Sequence, residues 1–207
     1  GDGIKYKSWT STGYNVHFDI DNDGFAEGME WLDANDGFLV RDLNGNGKID
    51  NGSELFGEDG GTTAYYKLAQ LDTNHDNKVD ANDSGFSGLR IWQDLNSNGK
   101  TEAGELKTLV QANIKELSLQ LTNNQYDPTP HIIAGTSSFT RTDNSVGLAE
   151  DTLFVTAQLD TIYVGADRAV NPAIDQSVLA LPLTRGYGTL KGFQYALTDD
   201  ATLKAMV

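Results

Sequence analysis

Four times between residues 19 and 105 the chain sets oxygen-bearing side chains on alternate positions, then a turn residue, then two acids. Counting the leading Asp as position 1, the first loop carries Asp19, Asp21 and Asp23, then Gly24, then Glu27 and Glu30 at positions 9 and 12. The fourth carries Asp94, Asn96 and Asn98, then Gly99, Glu102 and Glu105. Both match the D-x-[DN]-x-[DN]-G-x5-E pattern throughout. The third has Asp72, Asn74 and Asp76, then Asn77 in place of Gly, then Asp80 and Asp83. Asn tolerates the left-handed backbone that the turn requires. Asp83 replaces the final Glu, which suggests one ligand oxygen rather than two. The second has Asp42, Asn44, Asn46, Gly47 and Asp50, but its Glu54 falls one residue late, so this loop must close differently.

This donor set is suited to a hard cation. Calcium takes roughly six to eight oxygens at about 2.3–2.6 Å, with side chains at positions 1, 3, 5, 9 and 12 and a main-chain carbonyl at position 7. The carbonyls of Phe25, Lys48, Lys78 and Lys100 would fill position 7. Magnesium prefers fewer protein ligands, and zinc or copper would want His or Cys. The chain has no Cys, and His17, His75 and His131 show no ligand spacing. Asp, Asn and Gly also cluster in ordinary turns, but four repetitions at one spacing exceed what turns need. The expectation is about four calcium ions. Gly1-Asp2-Gly3-Ile4 reads like the end of a further loop, and Asp36 suits either a site or a turn. No catalytic residue is assigned, because nucleophile motifs are missing.

The segments between the loops are short. Gly37–Val40 reads as a strand, Ser53–Phe56 as a helical turn and Ala64–Leu71 as a helix. Glu105–Ile114 is predicted helical, with Leu106, Leu109 and Val110 on one side. Leu117, Leu119 and Leu121 then alternate with polar residues, as in a strand. Residues 139–148 read as a hairpin, 152–159 as a further strand, and 165–180 as a loop or linker. Asp127-Pro128 reads as a turn element. Two helices are expected at the end, the second starting at Asp199-Asp200 with Leu203 and Met206 buried. Trp9, Trp31 and Trp92 are expected in the core or an interface. The resulting fold expectation is α+β: short helices and EF-hand-like calcium loops, then a small antiparallel β region, then C-terminal helices. The expected division is a module over 1–160 and an extension over 161–207.

The net charge is −15, of which residues 1–108 hold 20 acids against 9 bases and residues 109–207 hold 10 against 6. Nucleic acid and anionic membrane are poor partners for such a surface. Absent cysteine excludes disulfides and thiolate chemistry. No apolar run approaches the roughly 18 residues of a membrane span. The opening residues GDGIKYKSW do not form a signal peptide, and a segment of a longer protein is expected.

The stretches beginning Asp19-Ile-Asp-Asn-Asp-Gly, Asn35-Asp-Gly-Phe-Leu-Val-Arg-Asp-Leu-Asn-Gly-Asn-Gly-Lys-Ile-Asp-Asn-Gly-Ser-Glu-Leu-Phe-Gly and Leu89-Arg-Ile-Trp-Gln-Asp-Leu-Asn-Ser-Asn-Gly-Lys resemble the calcium-dependent self-processing module of large RTX proteins, of the iron-regulated type. The resemblance covers about residues 1–160. Leu181-Pro-Leu-Thr-Arg-Gly-Tyr-Gly-Thr-Leu resembles a segment that follows such modules. The resemblance implies a secreted or cell-surface bacterial toxin or adhesin, exported unfolded by a type I system and flanked by further RTX domains. It also implies calcium-dependent self-cleavage at an Asp-Pro bond, with an anhydride that a lysine can capture. That bond should precede the first loop and lies upstream of this sequence. A dockerin-like protein-binding module is the remaining alternative, and the strand-rich second half argues against it.

Overall fold

The computed structural model describes residues 3–9, 16–57, 64–123, 132–164, 175–181, 184 and 192–207. In chain order its strands are β1 (Tyr6–Lys7), β2 (His17–Phe18), β3 (Phe25–Met29), β4 (Trp31–Leu32), β5 (Phe38–Val40), β6 (Lys78–Asp80) and β7 (Arg90–Trp92). They continue with β8 (Leu106–Thr108), β9 (Ile114–Ser118), β10 (Thr122–Asn123), β11 (Ile132–Arg141), β12 (Val146–Leu153) and β13 (Thr156–Tyr163). The α-helices are α1 (Ala64–Ala69), α2 (Phe193–Asp199) and α3 (Ala201–Lys204), with 3-10 turns at Gly52–Glu54, Phe86–Gly88 and Gln176–Val178.

The expected α+β fold of helices flanking EF-hand-like loops is therefore wrong. Among the described residues the strands form four antiparallel sheets, β1-β4, β13-β3-β2, β5-β7-β8 and a five-stranded sheet built on β11. The first and fourth loops hang between strands, the second between β5 and a 3-10 turn, and the third follows α1 and runs through β6. Short apolar pieces such as Phe38–Val40 and Arg90–Trp92 are too brief to make helices that stand alone; paired in register, Phe38 with Trp92 and Val40 with Arg90, they satisfy their main chains across the sheet. The helix expected over 105–114 is likewise a strand, β8, followed by turns. Leu106 pairs with Trp92 and Thr108 with Arg90, so cross-strand partners override a weak helical spacing.

β11 is long enough to take β10 and then β9 along one edge while β12 covers the other from Ile132 to Thr140. The β11–β12 hairpin falls where the sequence placed it, with Asn144 left-handed in its turn. β13 returns to pair with β3, with its register running from Thr156–Met29 to Tyr163–Phe25. No helix among the described residues is long and apolar enough to cross a membrane.

Among the described residues two large cores hold these sheets, beside a small buried pair of Phe25 and Tyr195. The first gathers Val16, Phe18, Met29, Trp31, Val40, Ile49, Leu55 and Trp92. Its rings interlock, with Phe38 4.7 Å and Trp92 5.4 Å from Trp31, within the range for favourable aromatic pairs. The second gathers Leu68, Val79, Phe86, Leu89, Leu109, Ile114 and Leu117. Trp31 and Trp92 are core residues as expected, but Trp9 is exposed. Leu203 and Met206 are exposed as well, because α3 is only four residues long and Asp200 caps it at the surface.

Candidate metal centre

All four loops follow one backbone trace. At position 4 the chain is left-handed in each, at Asn22, Gly45, His75 and Ser97, with φ between 54° and 72°. At position 6 it is left-handed again, at Gly24, Gly47, Asn77 and Gly99, with φ between 65° and 88°. A non-glycine residue there is uncommon, and the Asn at position 77 adopts it as its chemistry allows.

The trace is held from within. In every loop the position-1 Asp accepts N–H bonds from positions 5 and 6: Asp23 and Gly24 to Asp19, Asn46 and Gly47 to Asp42, Asp76 and Asn77 to Asp72, and Asn98 and Gly99 to Asp94, at 2.7–3.2 Å. The closing acid bridges positions 2 and 9. Glu105 accepts from Leu95 and Glu102, Asp83 from Thr73 and Asp80, and Glu54 from Leu43 and Asp50. Glu54 thus does what Glu105 does despite its extra residue. The 3-10 turn at Gly52–Glu54, capped by Asn51, absorbs the insertion. Asp83 uses both oxygens in these bonds, as Glu105 and Glu54 do.

Side chains at positions 3, 5 and 9 converge on one point. Asn44 and Asn46 reach Asp50 at 3.0 and 2.6 Å, and Asn96 and Asn98 reach Glu102 at 2.6 and 3.1 Å. In the third loop Asn74 reaches Asp76 instead, at 3.1 Å, and Asp80 faces Lys78 at 3.3 Å. In the first loop the oxygens of Asp19, Asp21 and Glu27 lie within 4.8 Å of one another. Asp23 accepts the N–H of Phe25, as Asn46 and Asn98 accept those of Lys48 and Lys100. Glu30 lies outside the Asp19 group. It directly follows β3, three residues after Glu27, and is itself buried.

Each loop buries at least one of its acids, while Asp21, Asp50, Asp76 and Glu102 are exposed. Asp19, Glu27, Glu30, Glu54, Asp72, Asp83, Asp94 and Glu105 are all at most 8% exposed. Among the described residues no Lys, Arg or His forms an ion pair with Asp19, Glu54, Asp72, Asp83, Asp94 or Glu105. Buried carboxylates are costly unless compensated. Asp19 shows the cost: burial pushes its carboxyl up to about 6, against the N–H bonds of Gly24 and Asp23 and with the charges of Asp23 and Asp21 adding to the rise. In the third loop the N–H of Asn82 holds Asp80, and the N–H of Asp80 holds Asp83, below the usual carboxylate range. Oxygen-only donors, buried and short of cationic partners, fit a hard divalent cation.

Long-range contacts that the sequence did not reveal join three of the loops. Gly52, at the end of the second loop, donates its N–H to Asp19 of the first, and Asn51 bridges Asp19 in parallel register. Ile49 and Thr101 hold position 8 of the second and fourth loops, and the Ile49 N–H donates to Thr101 Oγ1 at 2.9 Å. Trp31 Nε1 donates to Asp94 Oδ2 at 2.8 Å, tying the first core to the fourth loop. Asp36 accepts the Lys5 N–H and belongs to no loop site. Asp127-Pro128, Gly1 and Asp2 lie outside the described residues.

A family model described as the SPM domain matches residues 1–155. The chain is similar to iron-regulated protein FrpA of Neisseria meningitidis serogroup C, at 40% identity over 172 residues. That alignment covers 79% of this chain but only 15% of the relative's length.

Proposed function

The chain belongs to the SPM domain family, and from that premise we propose that it is a calcium-binding module of a secreted RTX protein that folds on meeting extracellular calcium. The observation that carries the reading is the fourfold trace: left-handed positions 4 and 6, a position-1 Asp clasped by two N–H groups, and buried acids in each loop. Asp19, Asp21 and Glu27 would hold one ion. Asp42, Asn44, Asn46, Asp50 and Glu54 would hold a second, Asp72, Asn74, Asp76, Asp80 and Asp83 a third, and Asp94, Asn96, Asn98, Glu102 and Glu105 a fourth. Bound ions would neutralise carboxylates that otherwise oppose folding. In the longer parent protein the chain would adjoin further RTX domains, and low cytosolic calcium would keep it unfolded for type I export.

Calorimetric titration tests this. About four calcium ions are expected to bind in the micromolar to millimolar range, and Glu105→Gln is expected to remove one of them. Stoichiometry unchanged in Glu105→Gln, or no heat at millimolar calcium, would overturn the reading.

Acid should weaken the first loop selectively. Ion binding needs ionised Asp19, whose carboxyl sits near 6, so from pH 7 to pH 5 the first loop's affinity is expected to fall about tenfold by proton competition. The third loop, with Asp80 and Asp83 held low, should change little. In metal-free protein the sign reverses: Asp19 favours folding below its ordinary value of 3.8, and that contribution is lost as pH rises through about 6. Calcium titrations at the two pH values, followed loop by loop with NMR, check this.

A second reading rests on the family match: the chain also drives calcium-dependent cleavage of an Asp-Pro bond amino-terminal to it. An extended chain containing that bond, incubated with and without calcium and run on a denaturing gel, distinguishes the two.

A further inference from the structure

Three loops carry a lysine at position 7, and the lysines do not behave alike. Lys48 and Lys100 are exposed and form no ion pair among the described residues. Lys78 lies on β6, where it folds back across its own loop. Its Nζ is 3.3 Å from Asp80 Oδ2 and 3.9 Å from Asp76 Oδ2, the acids at positions 9 and 5. It is also 3.2 Å from Glu116 Oε2 on β9.

The sheet explains the difference. β6 pairs with β9, setting Asp80 opposite Glu116 and Lys78 opposite Ser118. Val79 and Leu117 turn inward to the second core. Lys78, Asp80 and Glu116 therefore share the outer face, with Glu116 diagonal to Lys78 and within reach. Thr140 Oγ1 donates to Glu116 Oε1 at 3.4 Å. The second and fourth loops have no strand at position 7, so their lysines point to solvent.

Resting on the calcium reading above, we propose that Lys78 is a built-in competitor for the third loop's ion, so that this loop binds more weakly than its four acids would otherwise allow. Carboxylate number alone would rank it differently. The third loop has four acids (Asp72, Asp76, Asp80, Asp83), whereas the second and fourth have three each (Asp42, Asp50, Glu54; Asp94, Glu102, Glu105). The Lys78 ammonium cancels one of those charges at the two acids it faces. An incoming ion must displace it onto Glu116 alone.

The test is a calcium titration of the full chain followed by amide NMR, reading Asp76 and Asn77 for the third loop and Gly24, Gly47 and Gly99 for the others. Lys78→Met keeps the apolar stem and removes the charge. It is expected to tighten the third loop about three- to tenfold, the scale of one or two partly exposed ion pairs, and to leave the other loops within about twofold. Lys115→Met, a change at an exposed lysine outside the loops that bonds Asn144 rather than a loop acid, should leave all four loops within about twofold by the same measure. Lys78→Gln serves if the Met variant does not fold. A third-loop affinity unchanged or weakened in Lys78→Met, while the other three loops respond normally, overturns the proposal. So does a third loop that takes no calcium in either protein. If none of the four loops responds at millimolar calcium, the calcium reading itself fails, and this proposal with it.

Discussion

In excess chelator the protein is expected to lose most of its far-UV strand signal and the emission signature of buried Trp31 and Trp92, and to regain both in one cooperative step as calcium returns. The energy involved is sufficient. A ligand at 100 times its Kd stabilises the folded state by about 2.7 kcal/mol. Four such sites would supply about 11 kcal/mol, against a typical domain stability of about 5–15 kcal/mol. Without ions, burial opposes the ionised form of Asp19, which leans toward taking up a proton, whereas N–H bonds already favour ionised Asp83. The step should be cooperative because the first, second and fourth loops are bonded to one another and line one core. Magnesium at equal concentration should restore much less, since it prefers strict octahedral sites that keep their waters. A circular dichroism spectrum that is the same with and without chelator would sink the folding switch.

Gly52→Ala is expected to be the most damaging single substitution outside the ligand set. A Cβ on Gly52 would stand 1.8 Å from the Ile20 carbonyl oxygen and 2.7 Å from its carbon. Both are main-chain atoms, so no side-chain rotation relieves the clash. The same residue donates its N–H to Asp19 at 2.8 Å, the bond that docks the second loop on the first. Overpacking against backbone of this kind costs about 3 kcal/mol or more, and here it would separate the first and second loops. Gly45→Ala is the contrast. Gly45 is left-handed at φ 72° but faces open space, so Ala there should cost about 1 kcal/mol. Denaturant midpoints of both variants in saturating calcium decide the matter. Equal midpoints would show that the Gly52–Ile20 approach relaxes freely.

Much of the loop geometry is legible in the sequence because it is local. An Asp that accepts N–H bonds four and five residues on, and a Gly or Asn that turns left-handed, act within a dozen residues and need no distant partner. The α1 helix and the β11–β12 hairpin are legible for the same reason. The helix expected over 105–114 does not form because its spacing of Leu106, Leu109 and Val110 competes with cross-strand pairing to β7, which no local pattern displays. The closing role of Glu54 is hidden because sequence spacing counts residues, whereas the 3-10 turn at Gly52–Glu54 shortens the path.

By itself, then, the sequence determined the four acidic loops, their turns and the absence of thiol ligands, since each follows from side-chain chemistry at short spacing. Tertiary structure alone decided how the loops are grouped. It bonded Gly52 to Asp19 and Ile49 to Thr101, set Trp31 against Asp94, and placed Lys78 beside Glu116, partners up to 63 residues apart in the chain. Those pairings depend on which strands share a sheet, and strand partners are chosen by the packing of two apolar cores rather than by any local signal.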